Sequence, residues 1–161
     1  MKTARLNKIL TGVAGEYFVA AELSRQGYVA SLTLRNTRGI DILASNADAT
    51  KTVGIQVKAN SGKKAHWLLS EKAESDTAEN LFYVFVNLNG TEAPEYYIVP
   101  RAVVAKYVTE KHKAWLAAPG RNGRIRQDSS MRVFRDPDPK YRNAWKTLGL
   151  GLAGDSSVPM R

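Results

Sequence analysis

Cysteine is absent from the 161-residue chain, which excludes disulfide frameworks, thiol nucleophiles and cysteine-ligated zinc or iron–sulfur centres. Histidine is scarce. His66 and His112 are the only two, so a three-histidine zinc centre cannot form, and both read as structural. No apolar run approaches the roughly eighteen residues of a membrane span. Lys2, Arg5 and Lys8 are not followed by an unbroken apolar stretch either, so the expectation is a soluble, cytoplasmic protein with no membrane partner. Acidic side chains are in the minority. Against 24 Lys and Arg stand 15 Asp and Glu, a net charge of +9, which favours an anionic partner, most simply nucleic acid.

What is present fits one ordinary domain. Hydrophobic residues make up 43% and charged residues 24%, close to the globular average, so neither a disordered nor a fibrous class fits. A single domain is expected over residues 1–148, with a loose tail containing glycine, serine and proline over 149–161. The charge is uneven. Residues 1–64 hold ten Lys or Arg against four Asp or Glu, residues 65–100 one against six, and residues 101–146 twelve against four. Two basic stretches therefore flank an acidic one, a pattern that a uniformly solvated surface does not require.

Apolar residues from Leu6 through Ile9, Leu10, Val13, Ala14, Tyr17 and Phe18 to Ala21 recur at three- and four-residue steps. They predict an amphipathic helix from Arg5 to about Gly27. Its stripe centres near Leu6, Val13 and Tyr17, which leaves Glu16 about 80° away in a half-sheltered flank position. Strands are predicted at Tyr28–Leu34, Gly39–Ser45 and Val53–Asn60, the last two forming an antiparallel hairpin across a short polar connection. His66–Leu69 should extend the sheet, and the acidic Glu71–Asn80 segment should form a short helix. Leu81–Leu88 is apolar almost throughout, as a central strand covered on both faces would be. Glu95–Val99 pairs back. A helix opens at Pro100 and runs to Ala118, Met131–Phe134 forms a small edge strand, and a last helix covers Pro139–Leu148. Trp115 and Trp145 read as core aromatics. The sum is an α/β fold, a mixed central sheet flanked by helices.

Several inviting motifs fail on context. Gly149 to Gly154 matches the dinucleotide fingerprint letter for letter, but no strand leads into it and only seven residues follow. Ser61-Gly62-Lys63-Lys64 has the serine and lysine spacing of penicillin-recognising enzymes without their companion motifs.

The residues that can carry chemistry lie in the second and third strands. Gln56 and Lys58 stand two apart, so both side chains leave the sheet on one face while Ile55 and Val57 leave on the other. Asp41 is a lone polar residue between Ile40 and Ile42. Asp41 converges with the other two if the hairpin register sets it opposite an even-numbered neighbour such as Gln56 or Lys58. Phosphodiester hydrolysis asks for a hard cation on a non-bridging oxygen, a water made nucleophilic, and positive charge for the phosphorane. The Asp41 carboxylate, the Gln56 amide oxygen and a backbone carbonyl of the third strand, that of Val57, form an oxygen donor set suited to Mg²⁺ or Mn²⁺. Lys58 can orient or deprotonate the water, and Glu16 can complete the shell or hold a ligating water. Taken singly, the same residues also fit a partly buried Asp41–Lys58 ion pair with Glu16 as a surface acid.

Glu16 in an opening helix, Gly39-Ile40-Asp41-Ile42-Leu43 in one strand and Gln56-Val57-Lys58 in the next resemble the PD-(D/E)XK nuclease superfamily. This is the restriction-endonuclease-like group that includes Holliday-junction resolvases and Mrr-type restriction enzymes. The resemblance implies an αβββαβ core, with Asp41 as the motif aspartate, Gln56 at the second acidic position, Lys58 as the motif lysine and Glu16 as the extra helix acid of resolvase-like members. Ile40 stands where the name-giving proline would be, and Gln56 replaces a carboxylate, as in Mrr-like members. The implied protein is a metal-dependent endonuclease acting on DNA, with RNA left open. Lys8, Arg35, Arg38, Lys63 and Lys64 would contact phosphates, and a homodimer fits two cuts on a duplex. Two other readings stand beside it. One is a nucleic-acid-binding module with a degenerate nuclease site, and the other a protein-interaction partner that docks through its acidic 71–95 segment.

Overall fold

The computed structural model describes residues 7–34, 39–75 and 77–151. Asn7 caps α1 (Lys8–Arg25), its side-chain oxygen accepting the Leu10 amide at 2.8 Å, which satisfies one of the amides a helix start leaves over. Gly27, at φ 87°, ends it. Then come β1 (Val29–Leu32), β2 (Ile42–Ser45) and β3 (Thr52–Asn60), each antiparallel to the one before. The chain leaves the sheet through β4 (His66–Ser70) and a 3-10 turn (Glu71–Glu74), and returns as β5 (Leu81–Asn87), parallel to β3. Strand β6 (Glu95–Pro100) pairs back on β5, α2 (Arg101–Ala117) follows, and β7 (Met131–Arg135) joins β4 in a separate two-stranded sheet. The main sheet has the order β1-β2-β3-β5-β6. This is the expected α/β class with its αβββ opening and a mixed sheet.

The two sheet faces bury two clusters. On one, Val19 and Leu23 of α1 pack on Ile42, Ile55, Val57, Val84 and Ile98. On the other, Val104 and Val108 of α2 meet Tyr83, Phe85 and Val99, with Trp67 and Phe134 from the small sheet. Strand β5 is covered by both, as its unrelieved apolar sequence predicted. The chain stays packed past Leu148: Leu150 is buried in the first cluster, and the Tyr28 hydroxyl donates to the Gly151 carbonyl at 2.7 Å. No helix among the described residues is long and apolar enough to cross a membrane.

Four expectations change. His66–Leu69 does form a strand, but its partner is β7, in a separate two-stranded sheet. The acidic segment makes only the 3-10 turn Glu71–Glu74, so no α-helix lies between β3 and β5. Pro139–Leu148 breaks into two 3-10 turns around Asn143, which sits in the left-handed region at φ 51°. Finally, α1 buries Thr11, Gly15, Val19 and Leu23, a face roughly 160° round the helix from the predicted stripe. Tyr17 is 62% and Leu10 52% exposed.

The reason is Gly15. A Cβ built there would stand 2.5 Å from the Ala59 Cβ and 3.4 Å from Val57 Cγ1, so α1 lies against β3 where only a bare backbone fits. The bulkier stripe is left outward. Two glycines of one helix should therefore respond oppositely to alanine. Gly12 has nothing within 4 Å of its Cβ position, and Gly12→Ala should stabilise by up to about 1 kcal/mol through helix propensity. Gly15→Ala should cost about 1–3 kcal/mol through overpacking, and Ala59→Gly in that background should recover most of it. Urea unfolding measures all three; a gain at both glycines would disprove the close approach.

Candidate active site

The register bears on the question that the sequence left open. Ile42 pairs with Ile55, and Asp41 stands one residue before the start of β2. The Asp41 amide donates to the Ile55 carbonyl at 2.8 Å. There the ladder stops, because β2 begins at Ile42 while β3 continues to Asn60. Past this point the Val57 amide has no strand to pair with on that edge, and Asp41 Oδ2 accepts it instead at 2.7 Å, a charge-assisted bond. In an antiparallel ladder a residue's carbonyl leaves the strand on the same side as its amide, so the Val57 carbonyl opens toward the aspartate too.

Gln56 and Lys58 emerge on the face covered by α2, both half-buried. Along β3 they stand about 7 Å apart. Tyr83 of β5 is the register partner of Gln56, and across both lies Arg101, the first residue of α2 and only 2% exposed. Its guanidinium carbon is 5.1 Å from the Tyr83 ring centroid, and Nη2 donates to Gln56 Oε1 at 3.3 Å and to the Gly39 carbonyl. Burial pushes the Arg101 guanidinium below its usual value, which the nearby Asp41 charge opposes. Burial, and next the same aspartate, pushes the Tyr83 phenol up to about 12.

Arg101 was not among the residues expected here. Its signal was present: it stands three, four and seven residues before Val104, Ala105 and Val108, a charge on the apolar face of its helix. Glu16 comes from the opposite layer, since α1 packs on the Val57 face; it is half-buried, one residue from the Gly15–Ala59 contact. The structure thus bonds Asp41 to Val57, links Gln56 to Gly39 through Arg101, sets Lys58 on the Gln56 face, and brings Glu16 to the other side of β3. Of the basic residues, Lys8, Lys63 and Lys64 are exposed, and Lys63 pairs with Glu92 at 2.9 Å. Arg35 and Arg38 lie outside the described residues.

The donor chemistry fits a hard divalent cation. Asp41 keeps Oδ1, Gln56 supplies a neutral oxygen whose second lone pair remains beside Arg101, and Val57 supplies a carbonyl. All are oxygen, and one is charged. With glutamine at position 56, no group of three or more His, Asp or Glu side chains that could hold a metal occurs among the described residues.

No family model matches the chain, and no curated protein matches it. Two solved structures are similar in fold. One, a bacterial homing endonuclease, is 14% identical over 89% of this chain and 91% of its own, with a TM-score of 0.49. The other, a Holliday junction resolvase from the archaeal hyperthermophile Archaeoglobus fulgidus, is 14% identical over 88% and 90%, with a TM-score of 0.44.

The aspartate's proximity to Tyr83 can be read directly. A phenol at about 12, above its ordinary 10.0, favours the folded state fully below pH 10, and this contribution disappears as pH rises toward 12. Asp41→Asn should lower the Tyr83 titration only part of the way, because burial is the larger cause. Tyr96, also near 12 through burial and Glu22, should stay where it is. Carbon-detected NMR titration of labelled tyrosines measures both; an unmoved Tyr83 would refute the proximity.

Proposed function

We propose that the chain is a metal-dependent endonuclease that hydrolyses phosphodiester bonds of DNA. The observation that carries this reading is the turned-in Asp41, bonded to the Val57 amide where β3 outruns β2. The motif resemblance supports it at Asp41, Gln56 and Lys58, the last two of which share one face of β3. Asp41, Gln56 and the Val57 carbonyl would hold Mg²⁺ or Mn²⁺. When bound, such an ion supplies Lewis acidity to a phosphoryl oxygen and makes water more acidic. Lys58, on the Gln56 face, orients the attacking water, takes or shares its proton and offsets charge building on the phosphorane. Arg101 is a positioning residue: it ties the Gly39 carbonyl, just before Asp41, to Gln56 on the neighbouring strand. Glu16 would act from the α1 layer, completing the shell or holding a ligating water, and Lys8, Lys63, Lys64, Arg35 and Arg38 would contact phosphates.

One observation favours a second reading, a nucleic-acid-binding module without catalysis: among the described residues no three acidic or histidine side chains group to hold a metal, and Arg101 already donates to the Gln56 amide. Cleavage assays separate the two. Lys58→Ala and Asp41→Asn, which leaves an oxygen to accept the Val57 amide, should each slow Mg²⁺-dependent cleavage of DNA by about 10²–10⁴-fold. Duplex affinity measured without divalent ions should change less than severalfold. Cleavage at the parental rate in both variants would remove the site, whereas a parental protein that binds DNA but takes up no Mn²⁺ in calorimetry would establish the module.

A further inference from the structure

A cleft of about 700 Å³ opens between the second half of α2 and β7. It shares α2 with Arg101 but lies roughly 15 Å further along the helix axis, and its argument is independent of the Asp41 site. Tyr107, Lys111, His112 and Trp115 line it from α2, Met131 and Arg135 from β7. The size is that of a small-molecule site, well beyond what a lone phosphate fills.

The lining is built from rings layered with cations. Trp115, expected in the core, is 42% exposed, whereas Trp67 and Trp145 are 3% and 6% exposed. His112 stacks on Trp115 with centroids 5.6 Å apart and planes 19° from parallel. The histidine is held in turn by Asp128, whose Oδ1 lies 2.7 Å from Nε2, a pair that sequence spacing had not revealed. Outside the lining, the Arg126 guanidinium carbon stands 4.9 Å from the Trp115 ring centroid while Nη1 donates to the Trp115 carbonyl. Lys111 Nζ lies 5.7 Å from the Tyr107 ring centroid. Among the described residues neither Lys111 nor Arg135 forms an ion pair with a carboxylate. The cleft also falls in the 101–146 stretch, with its twelve Lys and Arg against four Asp and Glu.

We propose that this cleft takes one unpaired nucleotide of a nucleic-acid strand, its base against the Trp115–His112 pair and its flanking phosphates on Lys111 and Arg135. Flat rings and guanidinium planes favour a heteroaromatic base over an aliphatic acid, and unpaired cations beside them favour a phosphodiester. A fully paired duplex has no base to offer without extruding one.

The chain carries its own reporter. Trp67 and Trp145 are buried, so quenching of tryptophan fluorescence by a stacking base reads Trp115. The intact protein, in chelator and without divalent ions, is titrated with a single-stranded oligodeoxynucleotide, a duplex of the same length and an oligoglutamate peptide. Saturable quenching by the single strand alone is expected, lost in Trp115→Phe, with Lys111→Ala and Arg135→Ala together weakening the apparent Kd by about tenfold. Equal quenching by the peptide would mean that the cleft reads charge only and would overturn the proposal. So would quenching by duplex alone, no quenching by any ligand, or quenching that survives in Trp115→Phe. None of these outcomes depends on cleavage, so failure here and failure of the nuclease reading are told apart.

Discussion

The candidate site depends on a hydrogen bond that substitutes for a strand. Strand β3 outruns β2, and at the first unpaired position a carboxylate takes the amide that a neighbouring carbonyl would otherwise accept. A buried backbone amide without a partner is costly, so Asp41 is structural before it is anything else. The same bond fixes the direction of the carboxylate and keeps one of its oxygens engaged. It also leaves the Val57 carbonyl on the same open edge. The proposed site stands at this point because a sheet ends unevenly.

The glutamine at position 56 makes sense beside Arg101. A carboxylate in its place, within reach of a buried guanidinium, would form an ion pair that competes with any outside cation. The amide accepts from the arginine and stays neutral, and Arg101 retains the negative field of Asp41 together with the face of Tyr83. A backbone carbonyl, an amide and a ring help offset the cost of burying that guanidinium.

Much of this was legible in the sequence, and what was not has identifiable causes. Period-two alternation put Gln56 and Lys58 on one face, and the apolar run at 81–88 gave a strand covered from both sides. Register was invisible because nothing in a strand's own sequence states where its neighbour begins. The exposed face of α1 was misjudged because apolar counting weights large side chains, while the actual contact is made by a glycine that counting ignores. Strand β4 pairs with β7, a partner far along the chain that its own sequence could not name. Arg101 and the His112–Asp128 pair join residues from separate elements, so each lacked a sequence neighbour to announce it.

A single rigid rod, α2, connects the Arg101 end of the sheet to the Trp115 cleft. Its peptide units act as a ruler whose length and phase are set together. Inserting one residue between the two ends would lengthen the rod by about 1.5 Å but swing one end about 100° relative to the other. Drift in length is therefore tolerable only in whole turns, and this helix has far less freedom to gain or lose residues than the loops on either side of it.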